Sequence, residues 1–188
     1  VAYKNRVIAY YNEFKKQLKE RNEKLNIVMT FSFGSENDPD NVPKEIIEGM
    51  FKDYAEFTGI EFTAGDKKHG EDAYFEDIID RTTRGGSGRN KKNIDLVIVA
   101  DQLLTGYDSK RLNTLYVDRS LELQGLIQAY SRTNRIYGKN KEFGTIVNFQ
   151  YPRITKETVE TALKLYGSGG KSSKAIVDTY TTAVEKFK

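Results

Sequence analysis

The side chains best suited to chemistry fall in two short segments. Asp101-Gln102-Leu103-Leu104-Thr105-Gly106-Tyr107-Asp108 brings a hydroxyl, an unobstructed backbone amide and a carboxylate close together in the chain. Those groups suit a phosphate, a ribose or a hydrolytic water, although Thr-Gly-x-Asp is also ordinary turn chemistry. In Gln128-Ala129-Tyr130-Ser131-Arg132-Thr133-Asn134-Arg135, the residues Gln128, Arg132 and Arg135 stand at i, i+4 and i+7, which predicts one shared helical face. Leu126, Ile127 and Tyr130 are expected on the opposite, buried side. Three long donors in a row, two of them fork-shaped guanidinium groups, match a polyphosphate. The competing reading of this segment alone is a solvated basic face. A third stretch, residues 81–93, alternates Arg81, Arg84, Arg89, Lys91 and Lys92 with glycine and serine and contains no acidic residue. It reads as a solvated loop or, because glycine permits close approach, as a loop that touches phosphate.

The elements that must position these segments follow from periodicity. Val7, Ile8, Tyr11, Phe14 and Leu18 recur at helical spacing and predict an amphipathic helix over residues 2–24. The apolar run from Ile27 to Phe33, rich in β-branched and aromatic residues and ended by Gly34, predicts a buried strand. Pro43 is placed to open a helix ending near Phe57, Ile60 to Ala64 alternates like a short strand, and a helix is expected from Glu71 to Arg81. Leu96-Val97-Ile98-Val99-Ala100 is the clearest buried strand, so the Asp101–Asp108 segment lies at a strand tip. Strands are also predicted at 114–117 and 144–149, with a helix from Leu121 to about Thr133 that Ser120 can cap. Doubly buried strands alternating with helices predict an α/β fold with an open, mostly parallel sheet. Ligands of such sheets bind at the carboxyl ends of the strands, where both polar segments stand. Two tail helices, on Val159-Ala162-Leu163-Tyr166 and Ile176-Tyr180-Ala183-Val184-Phe187, are expected to form an appendage packing on a neighbouring domain.

Composition narrows the class. The 188 residues are 38% hydrophobic and 30% charged, a globular balance rather than a disordered one. The net charge of +3 suits nucleic acid without arguing for it. There is no cysteine, which excludes disulfides and thiolate metal sites and favours an intracellular origin. No apolar run approaches the roughly 18 residues of a membrane span. His69, in a polar run, reads as a solvated loop residue. The chain begins at Val1 in helical sequence, as expected of a piece of a longer protein.

Taken together, the two polar segments resemble motifs V and VI of superfamily 2 helicases, with Ser131 where motif VI usually has glycine and with Ile27–Ser32 as the motif IV strand. The likeness sharpens over residues 94–150. Leu103-Leu104-Thr105-Gly106-Tyr107-Asp108, then Leu112-Asn113-Thr114-Leu115-Tyr116-Val117-Asp118, then Gly125 to Arg135 resemble the restriction subunit of type I restriction-modification enzymes. In that family LTGFD, LNTLYVD and GLIQAxSRTNR occur in this order, and Tyr107 replaces the phenylalanine.

The resemblance implies a RecA-like three-layer lobe over residues 1–152, the second lobe of a motor that pumps double-stranded DNA, followed by a helical region over 153–188. It implies ATP and Mg²⁺ held mainly by a first RecA-like lobe of the same chain. It also implies a nuclease domain, methyltransferase and specificity subunits as partners, and a bacterial or archaeal cytoplasm. Carried over by position, Arg135 is the expected arginine finger, acting in trans to the first lobe, and Arg132 a second phosphate contact or inter-lobe ion pair. Gln128 would sense the γ-phosphate or orient water, while Gly106 and Asp108 face the nucleotide. Thr105, Ser32, Arg84 and Arg89 are the expected DNA contacts.

Other motifs are missing. Gly170-Lys171-Ser172 resembles the end of a phosphate loop, but Leu165 stands where its first glycine belongs and no strand precedes it, so it reads as a hinge. No acidic Asp-Glu-x-x motif follows a buried strand, and Glu76, Asp77 and Asp80 are expected on a solvated helix face. No nuclease cluster is visible either, so the chain alone is expected to be inactive as ATPase or nuclease. The alternatives are another superfamily 2 lobe, or a non-motor α/β module that binds a phosphate ligand or a protein.

Overall fold

A computed structural model describes residues 1–34, 41–84, 92–100, 102–103 and 106–166. The elements are α1 (Lys4–Arg21), β1 (Ile27–Phe31), α2 (Lys44–Thr58), α3 (Ala73–Thr83), β2 (Leu96–Ala100), β3 (Thr114–Val117), α4 (Leu123–Ser131), β4 (Thr145–Asn148) and α5 (Pro152–Tyr166). The result is the expected α/β fold of RecA-like type, although among the described residues the parallel strands form two two-stranded sheets and not one open sheet. β1 pairs with β2 in parallel, Ile27 opposite Leu96 through Phe31 opposite Ala100. β3 pairs with β4 in parallel, Thr114 opposite Thr145 through Val117 opposite Asn148. Each pair needs a crossover, which α2 and α3 provide for the first ladder and α4 for the second.

The core sits around β1. Val28, Met29 and Phe31 of that strand are buried with Val7 and Tyr11 of α1, Met50, Phe51 and Tyr54 of α2, and Tyr74 and Ile78 of α3. Aromatic rings dominate it: Tyr74 lies 5.0 Å from Phe51 and 4.9 Å from Tyr54, centroid to centroid. Such tilted and edge-on pairs add to their area burial. The Tyr74 hydroxyl, fully buried, donates to the carbonyl of Met29 at 2.7 Å, so α3 is tied to the central strand.

Several expectations change. Residues 60–64 form coil and a turn, not a strand. The expected helix at Glu71 instead begins as a π-helical turn, Lys67–Asp72, and becomes α-helical at Ala73. Ser120 does not cap α4; its N-cap is Glu122, with no side-chain cap bond. Asp77 is not on a solvated face. It accepts from the Tyr54 hydroxyl at 2.6 Å and from Arg81 Nε at 2.7 Å. Arg81 therefore leaves the basic loop and joins the packed interior, its side chain only 6% exposed. Glu76 is exposed, as read. His69 is 76% exposed and stays within reach of Asp66. The first tail helix, α5, packs against α4 and buries Ala162. Arg89, Lys91, Thr105, the Gly170 segment and the second tail helix lie outside the described residues.

Asp118, at the carboxyl end of β3, joins α1 to the second ladder. Its buried carboxylate accepts from Arg6 Nη1 at 3.0 Å, the Tyr10 hydroxyl at 2.9 Å and Gln150 Nε2 at 2.9 Å. Desolvation pushes its pKa up, but the Tyr10 and Gln150 bonds and the Arg6 charge together hold it below the ordinary carboxylate value.

Candidate phosphate-binding site

The loop after β2 has a demanding backbone. Leu103 and Gly106 both have positive φ, 65° and 73°. Glycine adopts that conformation freely, whereas a leucine there is held by its surroundings. The tips of the first ladder are joined by Thr30 Oγ1, which donates to Gln102 Oε1 at 2.9 Å.

Three braces then hold residues 107–111. Arg132 Nη1 donates to the carbonyl of Tyr107 at 2.8 Å. The buried Ser109 hydroxyl donates to Thr82 O in α3 at 2.7 Å and accepts from the Arg111 amide at 3.2 Å. Lys141 Nζ donates to the carbonyls of Lys110 at 3.2 Å and Arg135 at 2.6 Å. Tyr107 and Ser109 face inward while Asp108, Lys110 and Arg111 are exposed. The anchored backbone thus presents charged side chains from a fixed loop.

Those side chains border an open cavity of about 690 Å³. The last turns of α3 wall one side with Ile79, Thr83 and Arg84. The β2 loop supplies Gly106, Asp108, Lys110 and Arg111, and the segment after α4 supplies Arg135 and Tyr137. Four cationic side chains and one carboxylate line it, so its field favours an anion. Arg135 Nη2 lies 2.8 Å from Asp108 Oδ2, both side chains about half exposed, at 53% and 51%. The arrangement can hold a phosphate chain, with Gly106 leaving room at the backbone and guanidinium groups as bidentate donors. Among the described residues no group of three or more Asp, Glu or His side chains could hold a metal ion.

The expected residues therefore separate. Gly106, Asp108, Arg135 and Arg84 meet on one cavity. Gln128 is exposed on α4 and does not line it. Arg132 does not line it either; it is the C-cap of α4 and braces Tyr107 from behind. Ser32 is exposed just past the end of β1, away from the cavity lining. The single helical face expected for Gln128, Arg132 and Arg135 is not formed. α4 ends at Ser131, and the chain turns before Arg135. The turn is held by a close approach: a Cβ on Gly144 would collide with the backbone and side chain of buried Thr133.

Sequence reading missed Lys110, Arg111, Tyr137 and Lys141. The first two carried a signal, since a basic pair directly follows the strand-tip turn. Lys141 carried none, because it reaches the site only after Tyr137 and Lys141 pair across a tight reversal, Tyr137 N donating to Lys141 O at 3.0 Å. Lys141 is buried, and desolvation lowers its pKa below the ordinary lysine value.

Comparison with known proteins shows the family. Residues 1–151 match the family described as T1R_D3-like, type I restriction enzyme subunit R domain 3. The chain is 35% identical over 186 residues to the type I restriction enzyme SauCOLORF180P endonuclease subunit of Staphylococcus aureus strain COL, covering 96% of this chain and 19% of that protein. It is 34% identical over 183 residues to the SsaAORF53P endonuclease subunit of Staphylococcus saprophyticus, with the same coverage of each. A shorter stretch of 59 residues is 49% identical to the putative MjaVIIP endonuclease subunit of Methanocaldococcus jannaschii, covering 31% of this chain and 5% of that protein. The chain thus spans about a fifth of the length of the Staphylococcus relatives.

Proposed function

Because the chain belongs to the type I restriction enzyme subunit R family, we propose that it is the second lobe of a motor that uses ATP to move double-stranded DNA before the intact enzyme cuts it. The observation that supports this most is the meeting of Gly106, Asp108 and Arg135 on one cation-lined cavity at the β2 tip. ATP would lie between this cavity and a first lobe from elsewhere in the same chain, with Mg²⁺ held by that first lobe. The nuclease domain belongs to the same longer protein in this reading, and methyltransferase and specificity subunits complete the complex. Ser32, Arg84 and Arg89 stay as candidate DNA contacts. Arg84 also borders the cavity and could serve either phosphate.

Arg135 does its work by exchanging partners. Its ion pair with Asp108 is half exposed. Pairs of that kind stabilise by only about 0–1 kcal/mol. An arginine that meets charge developing on a transferred phosphoryl group contributes roughly 10³–10⁵ in rate. At about 1.4 kcal/mol per decade that is several kcal/mol. The transition state therefore outcompetes Asp108 for the guanidinium, and the pair holds Arg135 at the cavity until then. Asp108, released, is free to accept from a ribose hydroxyl. Arg132 serves the same event from behind, by fixing the loop that carries Asp108.

The test is Arg135→Ala in the intact enzyme. DNA-stimulated ATP hydrolysis should fall by roughly 10³ or more. Near-normal turnover would sink the assignment.

A further inference from the structure

Lys141 is a buried ammonium whose known partners are two backbone carbonyls. One belongs to Arg135, the expected finger, at 2.6 Å, and the other to Lys110, at 3.2 Å. Both of those residues line the cavity, and Lys141 does not. Lysine is a costly choice for so buried a place, because a desolvated cation needs compensation. Among the described residues no carboxylate lies within ion-pair distance of it. Arg135 sits beyond the end of α4, where no helical hydrogen bond fixes its backbone, and the pairing of Tyr137 with Lys141 leaves the reversal held by few bonds. The ammonium ties the backbone of this reversal to the backbone of the β2 loop, beside the half-exposed Arg135–Asp108 ion pair.

We infer that Lys141 is a positioning residue for phosphate chemistry at this site: its ammonium clamps the backbone of Arg135 to that of Lys110 and so sets how far both cations reach into the cavity. This rests on the nucleotide reading of the site given above. The clamp acts through the backbone, and its ammonium does not border the cavity. Its effect appears where geometry matters most. A displacement of about 1 Å in a transition-state contact can lower a rate by roughly 10². A contact made only in the transition state changes kcat while leaving KM nearly alone.

The experiment is DNA-stimulated ATP hydrolysis by the intact enzyme carrying Lys141→Met, which keeps an apolar stem of similar length and removes the ammonium. The expected result is a fall in kcat of about tenfold to a hundredfold with KM for ATP within about twofold of the parent. In the Arg135→Ala background the same substitution should add much less than its loss in the parent, because only the part of the clamp that acts through Lys110 remains. A merely structural lysine would give losses that multiply, and that outcome overturns the inference, as does parental kcat in Lys141→Met. If the methionine variant does not fold, Lys141→Leu, which likewise has no N–H donor, is judged by the same kcat and double-variant criteria. An inactive Arg135→Ala beside a fully active Lys141→Met removes the clamp alone. A fully active Arg135→Ala removes the nucleotide reading and the clamp together.

Discussion

Replacing Arg132 separates two roles that the sequence leaves open. As a phosphate contact it would matter only when nucleotide is bound. As a brace on Tyr107 it matters in the empty domain as well. The guanidinium donates to the Tyr107 carbonyl at 2.8 Å, in a partly buried setting, and Tyr107 itself is buried. Arg132→Met keeps the stem and deletes the donor. A hydrogen bond from a charged group contributes about 1.5–3 kcal/mol, and the orphaned carbonyl adds the cost of its desolvation. Taking about 2 kcal/mol, and about 2–4 °C per kcal/mol for a chain of this size, the midpoint of thermal unfolding should drop by about 4–8 °C. Circular dichroism of the chain without nucleotide is the assay, with ATP hydrolysis by the intact enzyme measured beside it. The brace predicts loss in both. An unchanged unfolding midpoint without nucleotide, together with lost hydrolysis, would refute the brace and return Arg132 to the phosphate.

Two further outcomes test the packing that carries the site. Asp77→Ala removes the carboxylate to which both Arg81 Nε, on an almost fully buried side chain, and the Tyr54 hydroxyl donate. Breaking such a pair destabilises by about 3–5 kcal/mol when fully buried, so a loss of about 2–4 kcal/mol in urea unfolding is expected here; a loss under about 0.5 kcal/mol would contradict it. For Asp118 the folded pKa lies below the unfolded one, so its contribution is complete above the unfolded carboxylate value of 3.8. That contribution is lost as pH falls below this value and through the folded pKa. Asp118→Asn should therefore destabilise the chain at neutral pH and flatten the steep acid end of its stability profile. An unchanged slope below about pH 4 would show that Asp118 is not a source of acid sensitivity.

What the sequence determined by itself was the set of elements and the place of the chemistry. Leu96–Ala100 is an unbroken apolar run, so a strand with polar residues at its tip was readable without coordinates, although only Ile98 and Ala100 of it are buried. The order of the strand-tip clusters carried the resemblance to the family that residues 1–151 match. Short-range propensity went wrong where it was asked to settle long-range partners. Ile60–Ala64 alternates like a strand, yet a strand needs an edge to pair with, and these residues form coil and a turn. The i, i+4, i+7 face of Gln128, Arg132 and Arg135 assumed a helix that continues. Gly144, ten or so residues on, lets β4 press against Thr133 where the chain leaves α4. Tertiary structure alone assigned Arg132 to a carbonyl, Arg135 to Asp108, Asp77 to Arg81 and Lys141 to the backbone of two cavity cations. The physical reason is common to Arg132, Asp77 and Lys141, whereas the half-exposed Arg135–Asp108 pair keeps much of its water. A charged side chain on a sequence has water as its default partner, and only folding decides which of them lose that water and must find another.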